Sequence, residues 1–425
     1  MTDARVAVLY DIGSALPLEI SRLTRLFAPM AVVLGDSAHA AAMAPFFEEF
    51  DAVLPAGASA AEQAEFLARW RPTGIVTFSE RMLPRAAELA APLGLPAHSP
   101  AVAGLLTNKH RQRAALARAG ISPVRSELLT TPAQWPDAVA RVGLPAVVKP
   151  CQGEASRNTY LVTDPAQGGR LVRRLLAQGE SALVAEEYLA GRPEPRYGDF
   201  VSVECVTVNG TAAPIAVTGK FPLTPPFREA GSFWPSHLDP AEEREVAALA
   251  AAAVQALGVT SGLSHVEIKL TQAGPRILEV NGRLGGCIAE LALRAAGTDL
   301  CELACRLALG ETPDVPPVTP DRVYFHHNSL APTYPCTVAE IRGGLAASQV
   351  PGIERFRPYV TVGDRLPGGV DTQRLDLLAG DAPDHATMSQ VLAAALRQVT
   401  YVFDTDTGRR AVPAADLTVT CRASS

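Results

Sequence analysis

Two short runs in which apolar and polar residues alternate, HVEIKL (265–270) and RILEV (276–280), are separated by one turn-like break, Gln272-Ala273-Gly274. Such alternation is typical of β-strands with one buried face, so the segment predicts a β-hairpin centred on Ala273. In that register Glu267 lies directly across the ladder from Glu279, because each is six residues from Ala273. A slip of one residue would turn a glutamate into the apolar face, so the register is strongly constrained.

The predicted hairpin has one polar and one apolar face. The polar face also carries His265 opposite Asn281 and Lys269 opposite Ile277, because side chains alternate with a period of two. Carboxylates directly across a ladder are about 5 Å apart at Cβ and repel each other, so we expect a cation between them. The apolar face is predicted to join the core through Val266, Ile268, Leu278 and Val280.

The two carboxylates and the amide of Asn281 predict a magnesium site. Oxygen ligands held on rigid strands suit Mg²⁺ that is bound together with the phosphates of a substrate. A solvated hairpin whose charged side chains face water is the alternative, and the spacing alone leaves it open.

Composition narrows the class of protein. A chain of 425 residues, with 48% apolar and 19% charged residues, is an ordinary globular protein with room for about three domains. Its formal net charge of −6 offers no basic surface for nucleic acid or an anionic membrane. No apolar run has the length of a membrane span and the N-terminus lacks a signal-peptide pattern, so we predict a cytoplasmic location. The seven cysteines are scattered and are expected to be reduced.

Secondary structure is predicted by the order of apolar runs. From Arg5 to about Leu105 short Val- and Ile-rich runs alternate with helical stretches, which predicts βαβ units and a parallel sheet. No G-x-G-x-x-G follows the first run, so dinucleotide binding is not expected there. A second α/β region follows, with a hairpin turning at Asn209-Gly210. The proline-rich segment 311–321 predicts a linker.

Two polar positions follow apolar strands in this second region. Lys149 ends the run PAVVKP and leads into the short loop that contains Gly153 and Ser156, an arrangement that aims a charge and backbone amides at phosphates. A surface lysine beside a turn is the alternative. Glu186 and Glu187 end a later run, where a carboxylate can accept an adenine amino group or ribose hydroxyls, unless it is merely exposed.

The order of these pieces resembles the ATP-grasp superfamily of carboxylate–amine ligases. Asn108-Lys109 opens a helix, Lys149 ends a strand, EEYL (186–189) ends another, and ILEVNGRLGG (277–286) is the most specific stretch. Within that superfamily the chain is most similar to the L-amino-acid ligases that make dipeptides. Three stretches carry this closer likeness: GLP at 94–96 with 107–124, then 218–236, and PGI with GDRL at 351–353 and 363–366.

The resemblance implies a multidomain protein of mixed α/β and α+β class with the ATP-grasp fold. Residues 1–105 would form a Rossmann-like domain that precedes the ATP-grasp region, and 106–190 its lid or central subdomain. Residues 191–318 would carry the metal and the substrate, and 319–425 would form a small α+β domain.

The resemblance also implies roles for individual residues. Arg283 would be the catalytic residue that stabilises an acyl phosphate and the tetrahedral intermediate. Two Mg²⁺ ions, replaceable by Mn²⁺, would bind Glu267, Glu279 and Asn281. ATP would be bound by Lys109, Lys149, Ser156, Glu186, Glu187, Leu189, Glu194 and Asp199. Glu229 and Gly286 would contact the substrate. Apart from the resemblance, Trp234 could line a substrate pocket, with ordinary aromatic packing as the alternative, and His265 could touch substrate because it is on the metal face of the hairpin.

The implied reaction is ATP-dependent amide formation through an acyl phosphate, with ADP and phosphate released. The substrates would be amino acids, or an amino acid and an amine, and the enzyme would be a homodimer. Another ATP-grasp ligase, of carboxylase or purine-pathway type, and a non-catalytic nucleotide-binding scaffold are the alternatives. The phosphate loop departs from a glycine-rich pattern, because Gly153 is its one glycine and Glu154 and Arg157 are charged.

Overall fold

The computed structural model describes residues 4–417. Its N-terminal elements are β1 (Val6–Tyr10), α1 (Pro17–Leu26), β2 (Met30–Leu34), α2 (Ala38–Met43), β3 (Ala52–Leu54), α3 (Ala60–Trp70), β4 (Gly74–Thr77), α4 (Leu83–Ala90) and α5 (Pro100–Leu106). The strands form a parallel sheet in the order β3-β2-β1-β4, which confirms the predicted βαβ pattern. Strands β1 and β2 are buried along their whole length, as the interior of a parallel sheet requires.

A smaller antiparallel sheet follows. Its elements are α6 (Lys109–Arg118), β5 (Ser126–Leu129), α7 (Trp135–Val142), β6 (Ala146–Pro150), β7 (Tyr160–Val162), α8 (Pro165–Ala177) and β8 (Leu183–Glu187). The strand order is β5-β8-β6-β7. The side chain of Asn108 accepts a hydrogen bond from the backbone N–H of Arg111, so it caps the N-terminus of α6.

The rest of the described chain builds two antiparallel sheets. Its elements are β9 (Phe200–Val208), β10 (Thr211–Lys220), β11 (Gly231–Trp234), α9 (Pro240–Ala256), β12 (Gly262–Thr271), β13 (Gly274–Asn281), α10 (Ile288–Ala296), α11 (Leu300–Ala308), β14 (Val323–His327), β15 (Cys336–Arg342), α12 (Gly344–Ser348), β16 (Ile353–Pro358), β17 (Arg365–Leu366), β18 (Asp376–Ala382), α13 (His385–Gln398), β19 (Thr400–Thr405), β20 (Gly408–Pro413) and α14 (Ala414–Leu417). Eight strands form the central sheet in the order β13-β12-β9-β10-β11-β14-β18-β16, and four form the sheet β17-β15-β19-β20.

The central sheet extends across one predicted domain boundary. Strands β14, β16 and β18 all follow residue 319, yet they continue the sheet that β9 to β13 begin. The proline-rich segment 311–321 forms neither helix nor strand, so it connects two parts of one sheet. The four-part division of the chain stays a prediction, but its third and fourth parts share hydrogen-bonded strands.

The hairpin of β12 and β13 forms with the predicted pairs at the end farther from its turn. Glu267 lies opposite Glu279, and His265 lies opposite Asn281. The ladder shifts beside Glu267, however, so the prediction that Lys269 lies opposite Ile277 is wrong. The turn has two residues, between the paired Thr271 and Gly274, where the prediction had three. A β-bulge between Glu267 and Ile268 restores the predicted register beyond it.

The bulge also changes which residues of β13 reach the core. Lys269 pairs with Arg276, and Ile277 pairs with Ile268. Ile277 is fully buried whereas Leu278 is only partly buried, so the predicted core position of Leu278 is wrong. The extra residue that a bulge inserts shifts the alternation of faces by one position.

Two further features of the described chain are its membrane-spanning potential and its cysteines. Among residues 4–417, no helix combines the length and apolar character needed to cross a bilayer. The six cysteines of that segment are free thiols, and the seventh, Cys421, lies outside the described residues.

Candidate active site

Both carboxylates on the hairpin have a cationic neighbour. Lys109 Nζ lies 2.9 Å from Glu279 Oε1, and His265 Nε2 lies 3.6 Å from Glu267 Oε1. Burial alone would raise the pKa of Glu267, but the hydrogen bond and positive charge of His265 lower it to about 2. The repulsion predicted from the register is thus relieved by two separate cations, one beside each carboxylate.

The oxygens available at this end of the hairpin fit a magnesium ion. Asn281 is 4% exposed and its Oδ1 accepts a hydrogen bond from Arg283 at 3.3 Å. Within residues 4–417 no cluster of three His, Cys, Asp or Glu side chains has the geometry of a metal site. Two carboxylates and one amide suit Mg²⁺, which keeps most of its coordination positions for phosphate oxygens and water.

The pKa of His265 is raised by a residue that the sequence analysis missed. Glu204 lies opposite His265 on β9, is 1% exposed and contacts His265 Nδ1. Burial would lower the pKa of His265, but the charge of Glu204 raises it to about 9. The signal was a single glutamate inside the apolar run VSVECV, since a buried carboxylate needs a partner.

Glu186 lies at the centre of a buried ion-pair cluster. Its Oε1 is 3.1 Å from Arg113 Nε, and its Oε2 is 2.9 Å from Lys149 Nζ. Burial would raise the pKa of Glu186, but the charges of Arg113 and Lys149 lower it to about 2. The strand-end positions of Lys149 and Glu186 are confirmed, while their contacts with ATP stay predictions.

This cluster makes stability dependent on pH in acid. The pKa of Glu186 lies below its ordinary value of 4.5, so its stabilising contribution is complete above that pH and is lost as the pH falls through about 2. We therefore expect the difference in free energy of unfolding between the wild type and Glu186→Gln to shrink as the pH is lowered from 6 to 3. Urea unfolding at each pH measures it, and Glu187→Gln is the control. A difference that stays constant over this range would contradict the assigned ion pairs.

The other residues predicted to bind ATP have their own protein partners. Glu187 lies on the opposite face of β8 from Glu186 and pairs with Arg125 at 2.6 Å. Asp199 Oδ1 lies 2.6 Å from Lys269 Nζ, and Glu194 Oε2 lies 3.5 Å from His237 Nε2. Leu189 follows the end of β8. Among all the residues predicted to bind ATP, Glu186 and Lys149 lie together, and Glu187 points away from them.

The glycine-poor phosphate loop is held in place by side chains. Ala155, Ser156 and Asn158 all have positive φ, at 55°, 56° and 50°. Asn158 Nδ2 donates to Glu180 at 2.7 Å, and Arg157 pairs with the same carboxylate. These contacts stabilise a left-handed backbone that glycine would otherwise favour.

Both ends of the loop are anchored as well. Ser156 Oγ donates to the carbonyl of Phe227 at 2.7 Å, and Glu154 pairs with Arg81 at 2.6 Å. Lys109 Nζ donates to the carbonyl of Gly153 at 2.7 Å. The two charged residues by which the loop departs from a glycine-rich pattern, Glu154 and Arg157, therefore both help to fix it.

Arg283 is positioned by an acidic residue from the N-terminal sheet. Its Nε lies 3.3 Å from Glu80 Oε2, and Glu80 is 8% exposed just after β4. Burial raises the pKa of Glu80 to about 7 against the opposing charge of Arg283. Sequence reasoning missed Glu80, although a polar residue at the carboxyl end of a parallel strand is a common ligand position.

The residues predicted to contact substrate are not equally placed for it. Glu229 is partly exposed, and its Oε2 lies 3.4 Å from the buried Lys220 Nζ. A side chain at position 285 would collide with the ring of His265, so this position, next to Gly286, requires a glycine. Trp234 is 5% exposed and packs in the hydrophobic core. Core packing accounts for this residue without a substrate, so its contact with substrate stays a prediction.

Comparison with known proteins agrees with this geometry. Residues 122–287 match the model of the ATP-grasp domain. The chain is 26% identical over 261 residues to alanine–anticapsin ligase of Bacillus subtilis (strain 168), covering 57% of this chain and 55% of the relative. It is 29% identical over 266 residues to carnosine synthase 1 of Mus musculus, covering 57% of this chain and 31% of the relative. The chain thus spans about half the length, or less, of these curated relatives.

The fold as a whole is similar to that of a solved enzyme. An L-amino acid ligase from Bacillus licheniformis superposes with a TM-score of 0.77 at 18% identity, covering 95% of this chain and 99% of the other. This match extends the likeness well beyond residues 122–287. The chain therefore has the ATP-grasp fold that its sequence predicted, and residues 122–287 match the ATP-grasp domain.

Proposed function

We propose that this protein is an ATP-dependent carboxylate–amine ligase that forms an amide and releases ADP and phosphate. The observation that carries the proposal is the convergence of Glu267, Glu279, Asn281, Lys109 and Arg283 at one end of the β12–β13 hairpin. The amino-acid and dipeptide chemistry in the names of the similar proteins supports amino acids as substrates.

The first step is transfer of the γ-phosphoryl group of ATP to a substrate carboxylate. A carboxylate oxygen becomes bonded to phosphorus as the bond to the ADP oxygen breaks, and the acyl phosphate then has a good leaving group. Lys109 and Lys149 would neutralise negative charge on the phosphates. Magnesium held by Glu267, Glu279 and Asn281 would supply further charge neutralisation and orient the phosphates.

The second step is attack of a neutral amine on the acyl carbon. A tetrahedral oxyanion forms, the bond from the acyl carbon to the phosphate oxygen breaks, and the proton of the attacking nitrogen passes to the departing phosphate or to water. Arg283 donates hydrogen bonds to the oxyanion, since a guanidinium stays protonated and presents several donors. Glu80 and Asn281 hold this guanidinium in place on two sides.

A direct screen tests the reaction. The protein is incubated with ATP, Mg²⁺ and pairs of amino acids or amines, phosphate release is measured, and products are identified by mass spectrometry. We expect ATP-dependent condensation with a limited set of pairs. Phosphate release that stays at background with every pair would favour the non-catalytic scaffold, and carboxylated products would favour a carboxylase.

Arg283→Ala separates catalysis from nucleotide binding. We expect turnover to fall by about 10²- to 10³-fold, the usual effect of removing one oxyanion donor. Affinity for ADP should stay within about threefold, because the predicted nucleotide contacts are made by other residues. Calorimetric titration with ADP and a phosphate-release assay measure the two quantities, with Arg276→Ala in the same hairpin as the control. Equal losses of binding and turnover would show that the role of Arg283 is wrongly assigned.

A further inference from the structure

Arg374, in the segment between β17 and β18, is a cation without an acidic partner in the described chain. Its Nη1 donates to the sulfur of Cys287 at 3.5 Å, and none of the carboxylates of residues 4–417 lies within ion-pair distance of it. The side chain is only partly exposed. A guanidinium that is largely removed from water is stabilised by an anion, so its surroundings indicate which anion it could take.

The surroundings of Arg374 include two residues that are predicted to contact the substrate, Gly286 and Glu229. A methyl group on Gly286 would lie 3.8 Å from Arg374 Nη2, so the guanidinium lies beside the loop that follows β13. The sulfur of Cys287, and then Tyr359 and Glu229, raise the pKa of Arg374 above its ordinary value. Glu229 is therefore within electrostatic reach, and a substrate there would meet one anionic and one cationic side chain.

We propose that Arg374 binds the free carboxylate of the amino acid that supplies the amine. This inference rests on the proposed ligase function, in which the other carboxylate is consumed as the acyl phosphate. Only the amine-supplying substrate then keeps an anionic group that needs a cation. Arg374 would make the enzyme select amino acids over simple amines, although it lies far along the chain from the ATP-grasp domain.

A phosphate group is the other anion that a guanidinium could bind. The predicted phosphate contacts, Lys109 and Lys149, lie beside Glu279 and Glu186, whereas Arg374 lies beside Gly286 and Cys287. Because the proposed function gives the phosphates their own cations, Lys109 and Lys149, we assign Arg374 to a carboxylate, and binding of phosphate is an outcome that the experiment distinguishes.

The segment that carries Arg374 also holds the phosphate loop. The backbone N–H of Thr372 donates to the carbonyl of Ala155 at 3.0 Å, and that of Asn158 donates to Asp371 Oδ1 at 3.3 Å. An amino acid bound to Arg374 would steady this segment and, through it, the loop. Amino acid and nucleotide should therefore bind with positive coupling, which by linkage is equal in both directions.

Equilibrium binding tests the proposal without requiring turnover. A thermal-shift screen first finds the standard amino acid that stabilises the Mg·ADP-bound protein most. The Mg·ADP-saturated protein is then titrated calorimetrically with that amino acid and with the amine that lacks only its carboxylate. We expect the wild type to bind the amino acid about 10- to 100-fold more tightly, the range of a hydrogen bond to a charged group. Arg374→Gln should lose this preference while its affinity for the amine is unchanged. The amino acid should also tighten ADP binding to the wild type and not to Arg374→Gln.

Arg357→Gln, an exposed arginine on β16, is the matched control and should behave as the wild type. Equal weakening of amino acid and amine in Arg374→Gln would overturn the proposal, as would weaker ADP binding without amino acid, which would identify a phosphate contact. If the variant does not fold, the wild type decides alone: equal affinity for amino acid and amine, or binding of none of the amino acids, would overturn it. A protein that binds amino acids in this way but forms no amide would leave this inference standing and reject the proposed ligase.

Discussion

Glu279→Gln is expected to lower the rate of ATP-dependent amide formation at least about 100-fold, the upper range for disturbing the shell around a catalytic metal. The substitution keeps the size of the side chain but removes the negative charge from one of two facing carboxylates. Two effects combine, because a metal ligand is weakened and Lys109, 2.9 Å away, loses its ion-pair partner. Steady-state phosphate release at saturating ATP and substrate measures the change.

Stability should change much less than the rate. Lys109 keeps its hydrogen bond to the carbonyl of Gly153 and can still donate one to the glutamine oxygen, which limits the loss. We expect the free energy of unfolding to change by less than about 2 kcal/mol. Glu245→Gln, an exposed glutamate on α9, is the matched control and should keep full activity. Wild-type rates in Glu279→Gln would remove this residue from the catalytic site.

Arg113→Ala is expected to lower the free energy of unfolding by about 3–5 kcal/mol, as breaking a buried ion pair does. Arg113 is 3% exposed and pairs with Glu186, which is also buried. Its Nη1 and Nη2 donate to the carbonyls of Ile277 and Leu278, each at 2.6 Å. Truncation would leave a buried carboxylate with Lys149 alone and two carbonyls unpaired.

The position of those carbonyls extends the effect to function. Strand β13 is at the edge of the central sheet, and α6 provides hydrogen bonds to its free side. Gln112 bonds both the N–H and the carbonyl of Val280, at 2.8 and 2.7 Å, next to Glu279 and Asn281. We therefore expect Arg113→Ala also to weaken ADP binding, because the hairpin and Glu186 both lose support.

Urea unfolding and ADP titration measure the two effects, with Arg111→Ala as the control. Arg111 is an exposed neighbour on α6, and its truncation should change stability by no more than about 0.5 kcal/mol. An unfolding midpoint for Arg113→Ala equal to that of the wild type would contradict the role assigned to this guanidinium.

The parts of the site that the sequence predicted are those that depend on local periodicity. Alternation and one turn were enough to pair Glu267 with Glu279 and His265 with Asn281. The same reasoning failed between the bulge and the turn. The predicted turn has three residues and the observed turn has two, which shifts the strand pairing by one position. The sequence alone does not show where the bulge that compensates for this shift lies. Lys269 and Leu278 were misplaced for that reason.

The partners that were missed come from segments distant in the sequence. Glu80, Arg113, Glu204 and Arg374 reach the site from the N-terminal sheet, α6, β9 and the C-terminal part of the chain. Periodicity indicates which face of an element is buried but not which other element packs against it. A charged residue within a buried run, such as Glu204, is the one local sign that a partner must exist.

The proposed ligase reaction depends on Glu267, Glu279 and Asn281 holding a metal ion against the phosphates of a nucleotide. Anomalous diffraction from crystals grown with Mn²⁺ and a non-hydrolysable ATP analogue tests this most directly. We expect Mn²⁺ within about 2.0–2.3 Å of oxygens from both glutamates or from Glu279 and Asn281, and bound also to phosphate oxygens. Nucleotide bound with Mn²⁺ at other residues, or with both glutamates turned away from the metal, would contradict the account.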